Sequence, residues 1–342
     1  MERIKLHGQV EIDDSPTPRK KRQTTSSVSK ITSGSVLLDL VLGGGWACGR
    51  IVNIVGDRSS GKTLLAIEAA ANFSRKVSSI EDIKYGEAEA AWDKVYAESI
   101  GLPEGISFSD PPLETVEDFH DDLLKHINRK SRGPLGLYVL DSLDALSDDA
   151  EMNREIDKNS YGGSKAKKMS ELLRRLVRKI EAANVTVFVI SQIRDKLNVM
   201  FGETKTRSGG KALDFYCSQI IWLVEIGKIK RRVLGQERII GVKVKVKNRK
   251  NKVGIPFREC ELIVYFNYGV DDEESMLAYL YANPKANVKE DRLKIIAEIL
   301  TLARKSNDKA GMKLVHNELK QAVVAHWNEI ERMLKPVHSK YD

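Results

Sequence analysis

The segment Gly56-Asp57-Arg58-Ser59-Ser60-Gly61-Lys62-Thr63 fits the pattern G-x-x-x-x-G-K-[ST], and its flanks restrict how it can fold. Arg50-Ile51-Val52-Asn53-Ile54-Val55 before it is a short, mostly apolar run of strand type. Leu64-Leu65-Ala66-Ile67-Glu68-Ala69-Ala70 after it is rich in helix formers. A buried strand must therefore turn into a helix across a glycine-containing loop. Glycines let the backbone N–H groups of such a loop converge on an anion, and the helix dipole adds to the attraction. Gly56, Asp57, Arg58, Ser59, Ser60, Gly61, Lys62, Thr63 and Leu64 are the expected phosphate-binding set. Lys62 can reach the β- and γ-phosphates of a nucleotide, and the Thr63 hydroxyl can ligate Mg²⁺.

The chain around this loop repeats the alternation. Ile80 to Tyr85 reads as a strand ending in Gly86-Glu87-Ala88-Glu89, Leu135 to Leu140 as one ending in Asp141-Ser142, and Val185 to Ile190 as one ending in Ser191-Gln192. Residues 90–100 and 115–128 read as helices. So do residues 169–183, with Leu172, Leu173, Leu176, Val177 and Ile180 on one face. Strands alternating with helices predict an α/β fold, a mostly parallel twisted sheet flanked by helices on both faces. Ligands then bind at the carboxyl ends of the strands. Asp141 stands where a P-loop enzyme places its Mg²⁺-side acid behind Thr63; its bland reading is a structural strand terminus. Glu87 and Glu89 can each orient or deprotonate an attacking water, or be solvated loop residues. Gln192 can sense a γ-phosphate and pass its presence to the following loop, or simply cap its strand.

Residues 198–210 form a polar, glycine-rich stretch with Met200-Phe201 inside it and Arg194, Lys196, Lys205 and Arg207 around it. Such a loop either holds nucleic acid, through cations on phosphates and apolar side chains on bases, or is a surface loop with one core anchor. Residues 212–224 return to the core. Arg238 to Lys252 alternates valine with lysine, the pattern of a half-buried strand with a basic outer face, and Glu261 to Phe266 is a further strand. From about Glu273 the chain turns helical. Residues 1 to about 30 read as disordered, with Arg19-Lys20-Lys21-Arg22 either touching phosphates or solvated.

The net charge of +8 and pI near 9.1 suit a polyanionic partner. Cys48, Cys217 and Cys260 form no C-x-x-C pair, which argues for a reducing compartment and against a zinc site. No apolar run approaches the roughly 18 to 20 residues that span a bilayer, and Met1-Glu2-Arg3-Ile4-Lys5 does not begin a signal peptide, so a cytoplasmic protein without membrane partners is expected.

From about Lys30 to about Asp272 the chain resembles the RecA family of DNA recombinases, the bacterial form and its phage-encoded relatives. The resemblance rests on Ser33-Gly34-Ser35-Val36-Leu37-Leu38-Asp39, Gly49-Arg50-Ile51-Val52, the P-loop, Glu87-Ala88-Glu89 and Val139-Leu140-Asp141-Ser142. It continues through Ser191-Gln192-Ile193-Arg194, Val199-Met200-Phe201-Gly202, the run Gly209 to Tyr216 and Lys250-Asn251-Lys252, and the last three strings are not shared by generic P-loop ATPases. The resemblance implies an ATP-dependent DNA recombinase that binds single-stranded and duplex DNA and assembles into a homo-oligomeric filament, with ATP and Mg²⁺ as cofactors. It selects Glu89 as the base, beside Lys62 and Gln192 as catalytic residues, and Thr63 and Asp141 as the metal side. It places Asp93, Tyr96 and Tyr265 near the adenine, and Phe215 at a subunit contact. Lys250 and Lys252 are implied to reach the ATP site of the next subunit. Two DNA loops are implied: about residues 155–165 with Tyr161-Gly162 at the tip, and about residues 194–210, with Arg194, Lys196, Met200, Phe201, Gly209 and Gly210. Single-strand-binding or mediator proteins would be natural partners.

Three departures stand out. Residues 1–30 hold no clear counterpart of the family's N-terminal docking segment. Asp57-Arg58 replaces a proline–acid pair in the P-loop. The lysine-rich helical region 273–342 does not match the family's final domain, and is a candidate surface for duplex DNA or a partner. Such departures suit a member carried by a phage or mobile element. The expected organisation is a basic N-terminal segment (1–30), a RecA-like ATPase core (31–272) and a helical C-terminal region (273–342). The rival readings are a ring-forming RecA-fold motor and a DNA-binding regulator that uses ATP as a switch.

Overall fold

The computed structural model describes residues 28–129, 135–153, 164–195, 205–207, 210–286 and 288–336. The disorder expected of the N-terminal segment concerns residues almost all of which lie outside this set.

The chain begins with β1 (Lys30–Ile31), then α1 (Val36–Leu42) and β2 (Trp46–Ala47), and β1 pairs antiparallel with β2. Helix α1 starts at Ser35, whose hydroxyl accepts the Leu38 N–H, and stops at Gly43, which takes the left-handed conformation at φ 74°. Next come β3 (Ile51–Gly56), α2 (Lys62–Ser74), β4 (Ile83–Glu87), α3 (Lys94–Ser99), β5 (Ser107–Phe108), α4 (Val116–Arg129) and β6 (Gly136–Asp141). They are followed by α5 (Asp149–Met152), α6 (Ser164–Ala183), β7 (Val185–Asp195), β8 (Lys205–Arg207) and α7 (Gly210–Tyr216). A meander of β9 (Gln219–Val233), β10 (Gln236–Asn251), β11 (Glu259–Tyr265) and β12 (Gly269–Asp271) leads to α8 (Asp272–Ala282), α9 (Glu290–Lys305) and α10 (Lys309–Met333).

The main sheet runs β12-β11-β10-β9-β3-β7-β6-β4-β5, with β8 attached beside β7. From β5 through β9 the neighbours are parallel; from β9 to β12 they are antiparallel. All of β3 is buried, and its side chains alternate between two cores. Val52 and Ile54 join a cluster with α1, α2 and the C-terminal helices, while Ile51 and Val55 join one built on α4 and α6. Covering both faces is what an apolar parallel strand requires. Among the described residues, no helix is long and apolar enough to cross a membrane.

Four sequence expectations need correction. Residues 80–85 are not all strand: Ile80–Asp82 is a 3₁₀ turn, opened by the Ser79 hydroxyl accepting the Glu81 N–H. Residues 90–93 are not helical. The Glu87 carboxylate accepts the N–H groups of Glu89 and Ala91, and helix α3 begins only where the Asp93 side chain accepts the Tyr96 N–H. Strand β7 continues past Gln192 to Asp195, because β8 folds back on it (Ile193↔Arg207, Asp195↔Lys205) inside the stretch read as loop. Finally, the valine–lysine strand is one arm of a long hairpin. Leu234 and Gly235 turn it with φ of 50° and 79°. The alternation itself holds: Val242, Val244 and Val246 are buried.

The C-terminal helices share the core of the sheet. Leu293, Ile296, Leu300 and Ala303 of α9, and Val315, Leu319 and Val323 of α10, recur at helical spacing and are buried. All but Ala303 belong to the same apolar cluster as α1 and α2. Arg304 fixes the joint from α9, with ion pairs to Asp271 (2.8 Å) and Glu274 (2.9 Å), and Arg258 does so from the connection just before β11, with Glu331 (2.7 Å). Leu319→Ala is therefore expected to cost about 2–5 kcal/mol of global stability in urea unfolding. The transition should stay single; loss of α10 alone in a separate early step would show that the helices do not share the core.

Candidate nucleotide site

The loop between β3 and α2 is shaped by its own small residues. A Cβ on Gly56 would stand 2.3 Å from the Ser60 hydroxyl oxygen and 3.1 Å from the Leu223 carbonyl, so only glycine fits. Gly61 opens helix α2 at φ 87°. The Ser60 hydroxyl donates to the Asp57 carbonyl (2.8 Å), and the Lys62 ammonium donates to the same oxygen (2.7 Å). Asp57, Arg58, Ser59 and Thr63 are exposed, whereas Lys62 is buried. Burial pushes the Lys62 pKa down; the carboxylates of Asp141, Glu89, Asp144 and Asp57 oppose that and help keep it charged. The Leu64 side chain is in the core, which leaves only its main chain to face a ligand.

Parallel pairing brings the strand ends level. Gly56 pairs with Gln192 and Glu87 with Asp141. One Asp141 oxygen, Oδ2, accepts from the Thr63 hydroxyl (2.8 Å) and from the Tyr85 hydroxyl (2.8 Å). Burial raises the Asp141 pKa, and these two hydrogen bonds hold it back. The Thr63 hydroxyl with a carboxylate behind it is a hard-oxygen pair, which suits Mg²⁺ completed by phosphates and water. Glu89 Oε1 accepts from the Ser142 hydroxyl and lies 3.5 Å from Gln192 Nε2. Glu87 instead spends its carboxylate on the backbone of its own loop. The structure thus brings Lys62, Thr63, Asp141, Glu89 and Gln192 to one end of the sheet.

The residues expected near a base lie to the side of α2. Asp93 caps α3, and Tyr96 packs against the core from it. The Tyr265 hydroxyl donates to Glu274 (2.6 Å), and Tyr265 pairs with Gly269 across β11 and β12. Between these elements sits Glu68 of α2, which accepts the Val270 N–H at 2.7 Å and whose charge is felt at Tyr96.

Lys250 and Lys252 are elsewhere. Asn251, between them, pairs with Gln219, and Gln219 pairs with Val52 near the start of β3. The P-loop leaves from Gly56, about 13 Å up the same strand at about 3.3 Å per residue. Both ammonium groups donate to the Phe215 carbonyl, at 3.3 and 2.7 Å, and Lys252 lies 5.6 Å from the centre of the exposed Phe215 ring. Tyr161, Gly162, Lys196, Met200, Phe201 and Gly209 lie outside the described residues. Arg194 pairs with Thr206 at the base of the ribbon, and Gly210 opens α7. Arg207 is buried and holds Asp214 at 2.6 Å.

Sequence reasoning missed Tyr85 and Ser142. Ser142 had a usable signal, since it follows Asp141 at the strand end. Tyr85 had none, because its partner depends on how β4 and β6 align.

Burial raises the Glu68 carboxyl to about 7, with Asp272 adding to the rise and the Val270 N–H opposing it. The folded value lies above the unfolded one of about 4.3. The proton therefore stabilises the fold at low pH, and that contribution is lost as pH rises through both values. Glu68→Gln keeps an acceptor for Val270 without the titration. Its melting temperature should rise relative to the unsubstituted protein between about pH 5 and about pH 8; an offset that did not change with pH would contradict the shift.

A family model described as RecA N-terminal domain matches residues 17–271. A Protein RecA from Borrelia duttonii (strain Ly) is 38% identical over 253 residues, covering 73% of this chain and 66% of that relative. A Protein RecA from Staphylococcus carnosus (strain TM300) is 38% identical over 257 residues, covering 73% of this chain and 67% of the relative. The match thus spans about two thirds of the length of these relatives. With a family match over most of its length and a P-loop, a strand-end acid and a strand-end glutamine at one edge of its sheet, the chain belongs to the RecA family.

Proposed function

We propose that the protein is an ATP-dependent DNA recombinase of the bacterial cytoplasm, which assembles on single-stranded DNA and promotes homologous pairing and strand exchange with duplex DNA in recombination and repair. One observation carries this reading: Gln192, level with the P-loop and beside Glu89, lies on the strand that runs directly into the 194–210 stretch. A change at the nucleotide end thereby has a mechanical route to the DNA-binding loop. The relatives above are named Protein RecA, and the ring-motor and regulator readings have no comparable support. Residues 31–272 would form the ATPase core and residues 273–342 a helical region that contacts duplex DNA or a partner.

The roles follow from position. P-loop N–H groups and Lys62 would hold the phosphates, and Thr63, backed by Asp141, would hold Mg²⁺, which would supply charge neutralisation at the phosphates. Glu89, fixed through one oxygen by Ser142, shows no partner on its other oxygen among the described residues, which leaves that oxygen to orient or deprotonate water. Gln192 links Glu89 to the loop. Tyr96, Asp93 and Tyr265 flank the base. Lys250 and Lys252, at the opposite end of the sheet, complete a neighbour's site. Tyr161, Gly162, Arg194, Lys196, Met200, Phe201, Gly209 and Gly210 contact DNA. Single-strand-binding or mediator proteins assist loading.

ATP hydrolysis is expected to rise with single-stranded DNA and to lose that stimulation as salt rises. A rate indifferent to DNA would refute the recombinase reading. Lys62→Ala should abolish nucleotide-dependent activity, while Glu89→Gln should retain ATP-dependent DNA binding and lose about 100-fold or more in turnover. Normal turnover in Glu89→Gln would exclude it as the base. Lys250→Ala/Lys252→Ala protein should turn over poorly alone and recover when mixed with Glu89→Gln protein, whose lysines are intact. No recovery on mixing would place the lysines' role within one subunit.

A further inference from the structure

The proposed coupling depends on what holds Gln192 in place, and one contact there has no role so far. The ladder between β6 and β7 closes at Leu140↔Val189, and beyond it the Leu143 N–H still reaches the Ile190 carbonyl at 3.0 Å. Every second residue of β7 turns its N–H to this side, so the next donor is that of Gln192. No strand is left to receive it. The Asp144 carboxylate takes it instead, at 2.6 Å.

Asp144 stands on a fixed platform. The Ala145 N–H returns to the Ser142 carbonyl at 3.2 Å, closing a tight turn. Leu143 and Leu146 on either side are buried in the core under α4 and α6. Asp141, Ser142 and Asp144, within four residues, thus touch Thr63, Glu89 and Gln192 in turn.

We propose that Asp144 is a positioning residue: its carboxylate anchors the main chain of Gln192 to the acid-bearing turn after β6, so that the strand end leading to the 194–210 stretch and Glu89 are held as one unit. This rests on the recombinase reading. A charge-assisted hydrogen bond is stronger than a neutral one and is short, as observed. Without it the strand end keeps its side chain but loses its last contact on the β6 side among the described residues, and the contacts there then end at Leu143 and Ile190. The Asp144 charge also supports the charged form of Lys62, so the same group faces both the phosphate lysine and the glutamine.

The test compares Asp144→Ala, which removes the acceptor, with Asp144→Asn, which keeps an amide oxygen for the Gln192 N–H. The readouts are the ratio of ATP hydrolysis with and without single-stranded DNA, and hydrogen exchange of the peptide spanning residues 185–195. Asp144→Ala should lower the ratio about fivefold or more and speed exchange at the strand end, and Asp144→Asn should restore both to within about twofold. An unsubstituted protein indifferent to DNA would overturn the recombinase reading, and this proposal with it. A stimulated unsubstituted protein matched by Asp144→Ala would overturn this proposal alone. So would an Asp144→Asn variant as impaired as Asp144→Ala, because the effect would then follow from charge and not from the anchored main chain.

Discussion

Parallel pairing of β3 with β7, and of β4 with β6, sets Gly56 against Gln192 and Glu87 against Asp141. Nearly everything at the nucleotide end depends on those registers. Parallel register is held by hydrogen bonds spaced evenly along both strands, and a slip by one residue would turn every side chain to the other face. Such a slip would exchange the two cores and move Asp141 away from Thr63 and Tyr85. The packing that stabilises the sheet therefore also aligns the chemistry. Register brings a loop lysine, a strand-end acid and a strand-end amide to the same level, and side chains such as Asp144 then hold the strand ends there.

The sheet also links the site to the rest of the chain. Helix α2 carries the loop at its N-terminus and Glu68 two turns along, where the carboxyl meets Val270 of β12. β12 leads without a break into α8, whose acids receive Arg304 of α9. His316 of α10 reaches Glu273 in the same joint (2.8 Å). A partly buried carboxyl that prefers its proton therefore lies between the nucleotide helix and the C-terminal helices, in a region crowded with acids.

The amino-acid pattern made much of this readable, for identifiable reasons. Strands buried on both faces are near-continuous apolar runs, so β3, β6 and β7 were plain. The P-loop and Asp141 were plain because their chemistry is tied to short spacings. Helix α3 was overestimated because a side chain, Glu87, binds the backbone that would otherwise have started it. The hairpin of β9 and β10 was missed because its turn places Leu234 at a left-handed position, where asparagine or glycine is the usual signal. Its outer arms, around Lys228 to Arg238, bury no core to reveal a period. Tyr85 and Asp144 were not readable as site residues, since each acts across strands whose alignment no local pattern specifies, whereas Ser142 stood next to a readable strand-end acid.

The separation of Lys250 and Lys252 from the P-loop along β3 has a consequence for counting. If the lysines act on a neighbour as proposed, each copy would offer a socket at one end and a plug at the other, and copies would join head to tail and not face to face. An open row would then always have one socket unfilled at its leading edge, whatever its length. Short rows would waste a large fraction of their sockets and long rows almost none. Turnover per copy would then climb with row length toward a plateau, and a capping molecule that only blocked new joins would slow hydrolysis without touching any nucleotide.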